Sequence, residues 1–197
     1  FLIGRYLGKE ALGYYTLAYR IIVYPIQNIS WIINRVMFPV LSKVQDDNPL
    51  IGKAYLQVAG AISLVSFPLM LGVMALADPF VYAILGEKWL PVIGLLVILA
   101  PVGMLQSINS TVGAIFLLKE RTDALLYWGI ATVVLTGIAF AFGIQYGITG
   151  MAWAYLALSF LLFYPSLKIP LRFIDLSVRK LLRALVLPFF CGLAMLG

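Results

Sequence analysis

Residues 11–42, ALGYYTLAYRIIVYPIQNISWIINRVMFPVLS, constrain this chain more than any other stretch. About thirty mostly apolar residues make a helix of roughly 45 Å, enough to cross a bilayer whose hydrocarbon is about 30 Å thick. Two arginines sit inside that run. An ionisable side chain within a span faces the bundle interior or a wet cavity unless it reaches an interface. At about 100° per residue, Arg20, Tyr24, Gln27, Trp31, Asn34, Arg35 and Phe38 share one side of the helix, while Leu17, Ile22, Ile26, Ile29, Ile33 and Val40 lie mostly elsewhere. One face is apolar and the other is cationic, amide-bearing and aromatic, which makes the second the candidate wall of a substrate pathway.

Two readings of the arginines stay open at this level. Arg20 and Arg35 each stand roughly 10–12 Å from the middle of the helix, so each is able to snorkel to its nearer interface. Gln27, near the middle of the same face, and the short amide Asn34 cannot, which points to a cavity. Arginine suits phosphate and carboxylate there, because its planar fork binds them bidentately and keeps its charge at any working pH.

The rest of the chain supports a membrane class. Hydrophobic residues make up 63% and charged ones 11%, against roughly 45–50% and 25% in soluble domains. The pattern predicts an all-α, polytopic membrane helix bundle: the tail of one span in 1–8, further spans at 11–42, 54–76, 92–118, 124–142 and 151–167, and a last one opening near Ala184. Pro25, Pro68 and Pro101 read either as hinges or as ordinary kinks of spans. Residues 43–53 read as a polar loop. Residues 78–90 are too short and too interrupted to span and read as an interfacial turn, with Tyr82 and Trp89 at headgroup depth. Three glycines turn the chain at 143–150, and the basic stretch 168–183 reads as an amphipathic segment along the membrane surface. The chain begins and ends inside apolar runs, so residues 1–197 are expected to be one transmembrane helical domain truncated at both ends.

Lys and Arg divide unevenly between alternate loops. Nine fall in 43–53, 119–123 and 168–183, against three at Arg5, Lys9 and Lys88, which places the first set in the cytoplasm. This asymmetry accounts for the net charge of +6 without nucleic acid as a partner. The chain has no His and one Cys, so it holds neither an internal disulfide nor a His/Cys metal cluster, and Cys191 reads as a small buried hydrophobe. All eight acids lie in loops or at span ends, and no nucleophilic triad or phosphate-cradling glycine loop is present; no enzyme activity and no cofactor are expected. In 92–118, Gln106, Asn109, Ser110 and Gly113 follow i, i+3, i+4, i+7. Interhelical hydrogen bonding explains that stripe as well as a ligand does, so Gln106 and Asn109 join Arg20, Gln27, Asn34 and Arg35 as substrate-cavity candidates.

Several blocks, IGRYLGKEALGYYTLAYR, VMFPVLSKVQDD, SFPLMLGVMALADPFVYAILGEKWLP, ILAPVGMLQSINSTVGAIFLLKERTD and GITGMAWAYL, together resemble the polysaccharide transporter family. These are O-antigen and exopolysaccharide flippases, in the superfamily that also holds multidrug and toxin extruders and the lipid II flippase. The resemblance implies a two-lobed carrier of which this chain is similar to the C-terminal six-helix lobe. It also implies alternating-access passage of a lipid-diphosphate-linked oligosaccharide across the bacterial plasma membrane through a cationic cavity, with the N-terminal lobe and the bilayer as further partners. Arg20 and Arg35 are the positions here that match such a charge. A membrane enzyme or scaffold of envelope polysaccharide assembly, and a drug exporter of the same superfamily, are the alternatives.

Overall fold

The computed structural model describes residue 4 and residues 6–42 and 47–195, leaving the side chains of 33–34 and 36–40 outside the description. The span tail expected at 1–8 and the start of the loop at 43 therefore fall largely outside the described residues. What remains is all-α: α1 (Gly8–Ser42), α2 (Asn48–Ala75), α3 (Ala77–Phe80), α4 (Pro91–Leu118), α5 (Thr122–Gly143), α6 (Gly147–Arg172) and α7 (Val178–Ala194). Among the described residues, three stretches are long and apolar enough to cross a membrane, Asn48–Ala75, Pro91–Leu118 and Thr122–Arg172. The last of these folds back on itself at a 3-10 turn, Ile144–Tyr146, to give the α5–α6 hairpin.

The helix at the centre is α4, which packs against α1, α2 and α6. Apolar residues surround it on nearly every side, and Leu95, Leu96, Leu99, Ile108, Ile115 and Phe116 are all fully buried. Helices α1, α2 and α4 converge at Gly103, where a Cβ would stand 2.7 Å from both Ile22 Cγ2 and Met70 Sδ. Only a residue without a side chain leaves room there for the Ile22 and Met70 side chains. Helix α7 packs on α2, with Phe189 edge-on to Phe67 at 6.3 Å. Helix α5 is peripheral: it packs mainly on α6, and Gly143 is its one buried residue.

Element boundaries depart from the sequence reading at two places, both rich in polar residues. The loop expected over 43–53 is shorter, because Asp47 caps α2 by accepting from Leu50 N at 3.0 Å and Pro49 occupies the first helical turn. The surface segment expected over 168–183 does not form. Lys168 and Arg172 continue α6 along its exposed side while Leu167 and Leu171 stay buried, and a tight turn with Asp175 at φ 54° leads into α7. Cys191 is exposed rather than buried, since α7 turns Leu181, Leu185, Pro188 and Gly192 inward instead. Residues 78–90 form a short non-spanning passage as expected, through a π turn at Val81–Leu85 and a 3-10 turn at Glu87–Trp89, with the Trp89 ring edge-on to Tyr14 at 5.7 Å.

Successive long helices run up and down, so the turns sort into two ends. At one end Asn48 Nδ2 donates to Asp175 Oδ2 at 2.8 Å, Phe116 meets Phe173 at 5.8 Å, and Arg121 lies 5.9 Å over the Phe173 ring. This end gathers Lys53, Lys119, Arg121, Lys168, Arg172, Arg179, Lys180 and Arg183; the described part of the other end holds Lys9 and Lys88. The basic loops counted on the sequence thus share one end of the bundle.

Candidate functional site

Ala18, Ile22, Ile26 and Ser30 recur every fourth residue on α1 and are all buried, while α4 is the helix on which α1 chiefly packs. That seam fixes the rotation of α1 about its axis. Arg20, Tyr24, Gln27, Trp31 and Arg35 consequently stand on the exposed side, as the helical spacing predicts. Asn34 lies on the same helix, and its side chain is outside the described residues. The guanidinium of Arg35 sits 5.0 Å over the Trp31 ring, a cation–π pair that presents charge and aromatic surface together. Tyr15, Tyr19, Arg20, Tyr24 and Gln27 line an open groove of about 830 Å³.

Gln106 and Asn109 are placed elsewhere, in the interhelical layer around α4. Gln106 Nε2 donates to the Tyr155 hydroxyl of α6 at 2.7 Å and lies 3.5 Å from the Tyr19 hydroxyl of α1. Asn109 Oδ1 accepts from Ser166 Oγ of α6 at 2.8 Å. Further along α4, Ser66 of α2 donates to Ser107 at 2.9 Å, the Ser30 and Ser110 hydroxyls are 2.7 Å apart, and the Tyr55 hydroxyl stands 3.1 Å from Thr111. The polar middle of α4 therefore hydrogen-bonds to each of its three main neighbours, α1, α2 and α6, which is what polar groups shielded from water require.

The two groups of candidates meet at Tyr19. Its ring lines the groove beside Arg20, and its hydroxyl faces Gln106. Tyr15 stacks on it at 6.3 Å, and Phe140 and Tyr155 complete an aromatic cluster from α1, α5 and α6. The Tyr15 hydroxyl is buried with no hydrogen-bond partner among the described residues. Sequence reasoning missed these tyrosines. The signal available was Tyr15 and Tyr19 one turn apart, directly before Arg20. No group of three His, Cys, Asp or Glu placed to hold a metal occurs among the described residues.

Among the described residues, three stretches long and apolar enough to cross a membrane, in a bundle packed around a central helix with a polar middle, define a multi-pass membrane protein. The chain matches the model of the polysaccharide biosynthesis protein family over residues 1–94. It is 35% identical over 98% of its length to the teichuronic acid biosynthesis protein TuaB of Bacillus subtilis (strain 168), covering 40% of that protein. It is 29% identical, again over 98% of its length, to the lipopolysaccharide biosynthesis protein WzxC of Escherichia coli (strain K12), covering 39% of it. The succinoglycan biosynthesis transport protein ExoT of Rhizobium meliloti (strain 1021) is 28% identical over 77% of the chain and is covered to 31%. The chain thus spans about two fifths of the length of the first two relatives. No solved structure matches it.

Proposed function

We propose that this chain forms one lobe of an alternating-access carrier that moves a lipid-diphosphate-linked oligosaccharide from the inner to the outer face of the membrane, and that the outward face of α1 lines its path. The observation that carries this reading is the division of α1 into a buried seam on α4 and an exposed face bearing Arg20, Gln27, Trp31 and Arg35. Arginines turned to hydrocarbon are expensive, and a cavity shared with a second lobe relieves that expense. The guanidinium fork matches a diphosphate, and Tyr24 and Trp31 add flat apolar surface of the kind that packs against sugar rings. Relatives named for teichuronic acid, lipopolysaccharide and succinoglycan share the theme of envelope polysaccharide, and one carries transport in its name. That word sets the carrier ahead of an enzyme or scaffold.

The test compares Arg20→Gln, Arg20→Lys, Arg35→Gln and Arg35→Lys in the intact protein, with surface polysaccharide measured against membrane abundance. The carrier reading expects the Gln variants to lose export at normal abundance and the Lys variants to recover it only in part, since Lys keeps the charge but not the fork. Full export by both Gln variants at normal abundance overturns it. Silent Lys variants, with Gln losses that follow abundance, would assign the arginines to snorkelling instead.

A further inference from the structure

A second cationic surface lies at the basic end of the bundle, on α6 and α7 rather than on α1. Tyr164, Lys168 and Arg172 follow one another at four-residue steps along the exposed side of α6, and Arg179 and Leu182 face them from the first turns of α7. Together with Asp175 in the intervening turn they line a groove of about 780 Å³. Lys168 Nζ lies 5.6 Å over the Tyr164 ring. Asp175, the one acid in the lining, already accepts a hydrogen bond from Asn48. Three cations against one carboxylate leave the groove positive.

The groove is also graded along the membrane normal. Tyr164 stands two turns inside the end of α6, about 12 Å deeper than Arg172, and Leu182 is exposed at its side. Charge at the end of the helix with aromatic and aliphatic surface beneath it matches a molecule that is anionic at one end and hydrocarbon at the other. A free anion would use only the upper half of such a lining.

We propose that the groove between the end of α6 and the start of α7 binds the phosphodiester headgroup of an anionic phospholipid, with an acyl chain running down past Tyr164 and Leu182. Lys168, Arg172 and Arg179 hold the phosphate, and Tyr164 and Leu182 pack against the chain. Bound lipid then clamps the α6–α7 turn, a place where the two helices otherwise make little contact with each other.

The test uses the intact protein, delipidated in mild detergent. Phosphatidylglycerol, phosphatidylcholine, inorganic phosphate and a polyprenyl diphosphate are added separately, with retention read by native mass spectrometry and stability by Tm. Phosphatidylglycerol is expected to be retained and to raise Tm, while phosphatidylcholine and inorganic phosphate do neither. Substituting Lys168→Gln, Arg172→Gln and Arg179→Gln should weaken phosphatidylglycerol binding by roughly fivefold per cation removed. The pair Lys180→Gln and Arg183→Gln, on the same end but outside the groove, should leave binding close to the wild-type value. Equal loss in both sets would mean diffuse attraction to a basic surface and overturns the proposal, as does unchanged binding in the triple variant. Tighter retention of the polyprenyl diphosphate by the same three cations also overturns it, by assigning the groove to cargo.

Discussion

Gln106 Nε2 donates to the Tyr155 hydroxyl at 2.7 Å, joining the central helix to α6 through an amide that the i, i+3, i+4, i+7 stripe places on one side of α4. Interhelical bonds of this kind contribute about 0.6 kcal/mol on average and rarely more than about 1.7. A cycle of Gln106→Leu, Tyr155→Phe and the double variant, followed by unfolding in mixed micelles, should return a coupling in that range. Zero coupling with unequal single losses would show that each side chain acts through other neighbours, with Tyr19 the first to test.

Gly103 marks the convergence of α1, α2 and α4. The Gly103→Ala variant should destabilise by about 1–3 kcal/mol, because the buried Ile22 and Met70 side chains must shift to admit the Cβ. At Gly113, on the same helix, a Cβ would meet nothing within 4 Å, so Gly113→Ala should be neutral or stabilising by up to about 1 kcal/mol. Equal unfolding midpoints for the two variants would contradict the close approach at Gly103.

Glu120 holds a left-handed conformation, φ 54°, in the turn after α4, where Arg121 N donates to Phe116 O at 2.8 Å and Glu120 N to Leu117 O at 3.2 Å. Glycine is at ease in that position and glutamate is not. Glu120→Gly should therefore stabilise by roughly 0.5–1 kcal/mol. Asp175 has the same φ, yet Asp175→Gly should gain less, because it also removes the acceptor of the Asn48 bond. Thermal unfolding of both variants checks the order.

Topology is tested by accessibility. Cys191 is exposed and must first be replaced by Ser. Cysteine introduced at Glu87 should then react with an impermeant thiol reagent from outside intact cells, and at Glu120 only after permeabilisation, as the gathering of basic residues at one end demands. Reversed labelling would invert the bundle in the membrane.

Apolar periodicity made most of the bundle legible in the sequence. The span expected at 92–118 is α4 to within one residue, and 124–142 lies inside α5. The misreadings share a physical origin: Asn48, Lys53, Lys168 and Arg172 looked like loop or surface because they are polar, whereas helices continue through polar residues at their ends as long as one apolar stripe remains to bury. The face carrying Arg20, Gln27 and Arg35 was readable because spacing alone defines it. The partners of Gln106 and Asn109 were not, because which hydroxyl an amide meets depends on how α6 approaches α4, across dozens of intervening residues.

The central place of α4 has a consequence for biosynthesis. The buried seam of α1, Ala18 to Ser30, is chiefly covered by a helix that the ribosome completes only after α2 and the turns following it. At about 5–20 residues per second, the nascent chain holds α1 for several seconds before α4 is available. During that interval Ser30 lacks the Ser110 hydroxyl it meets in the finished bundle, and a change that slows the emergence of α4 lengthens the exposure of the α1 seam to quality-control proteases.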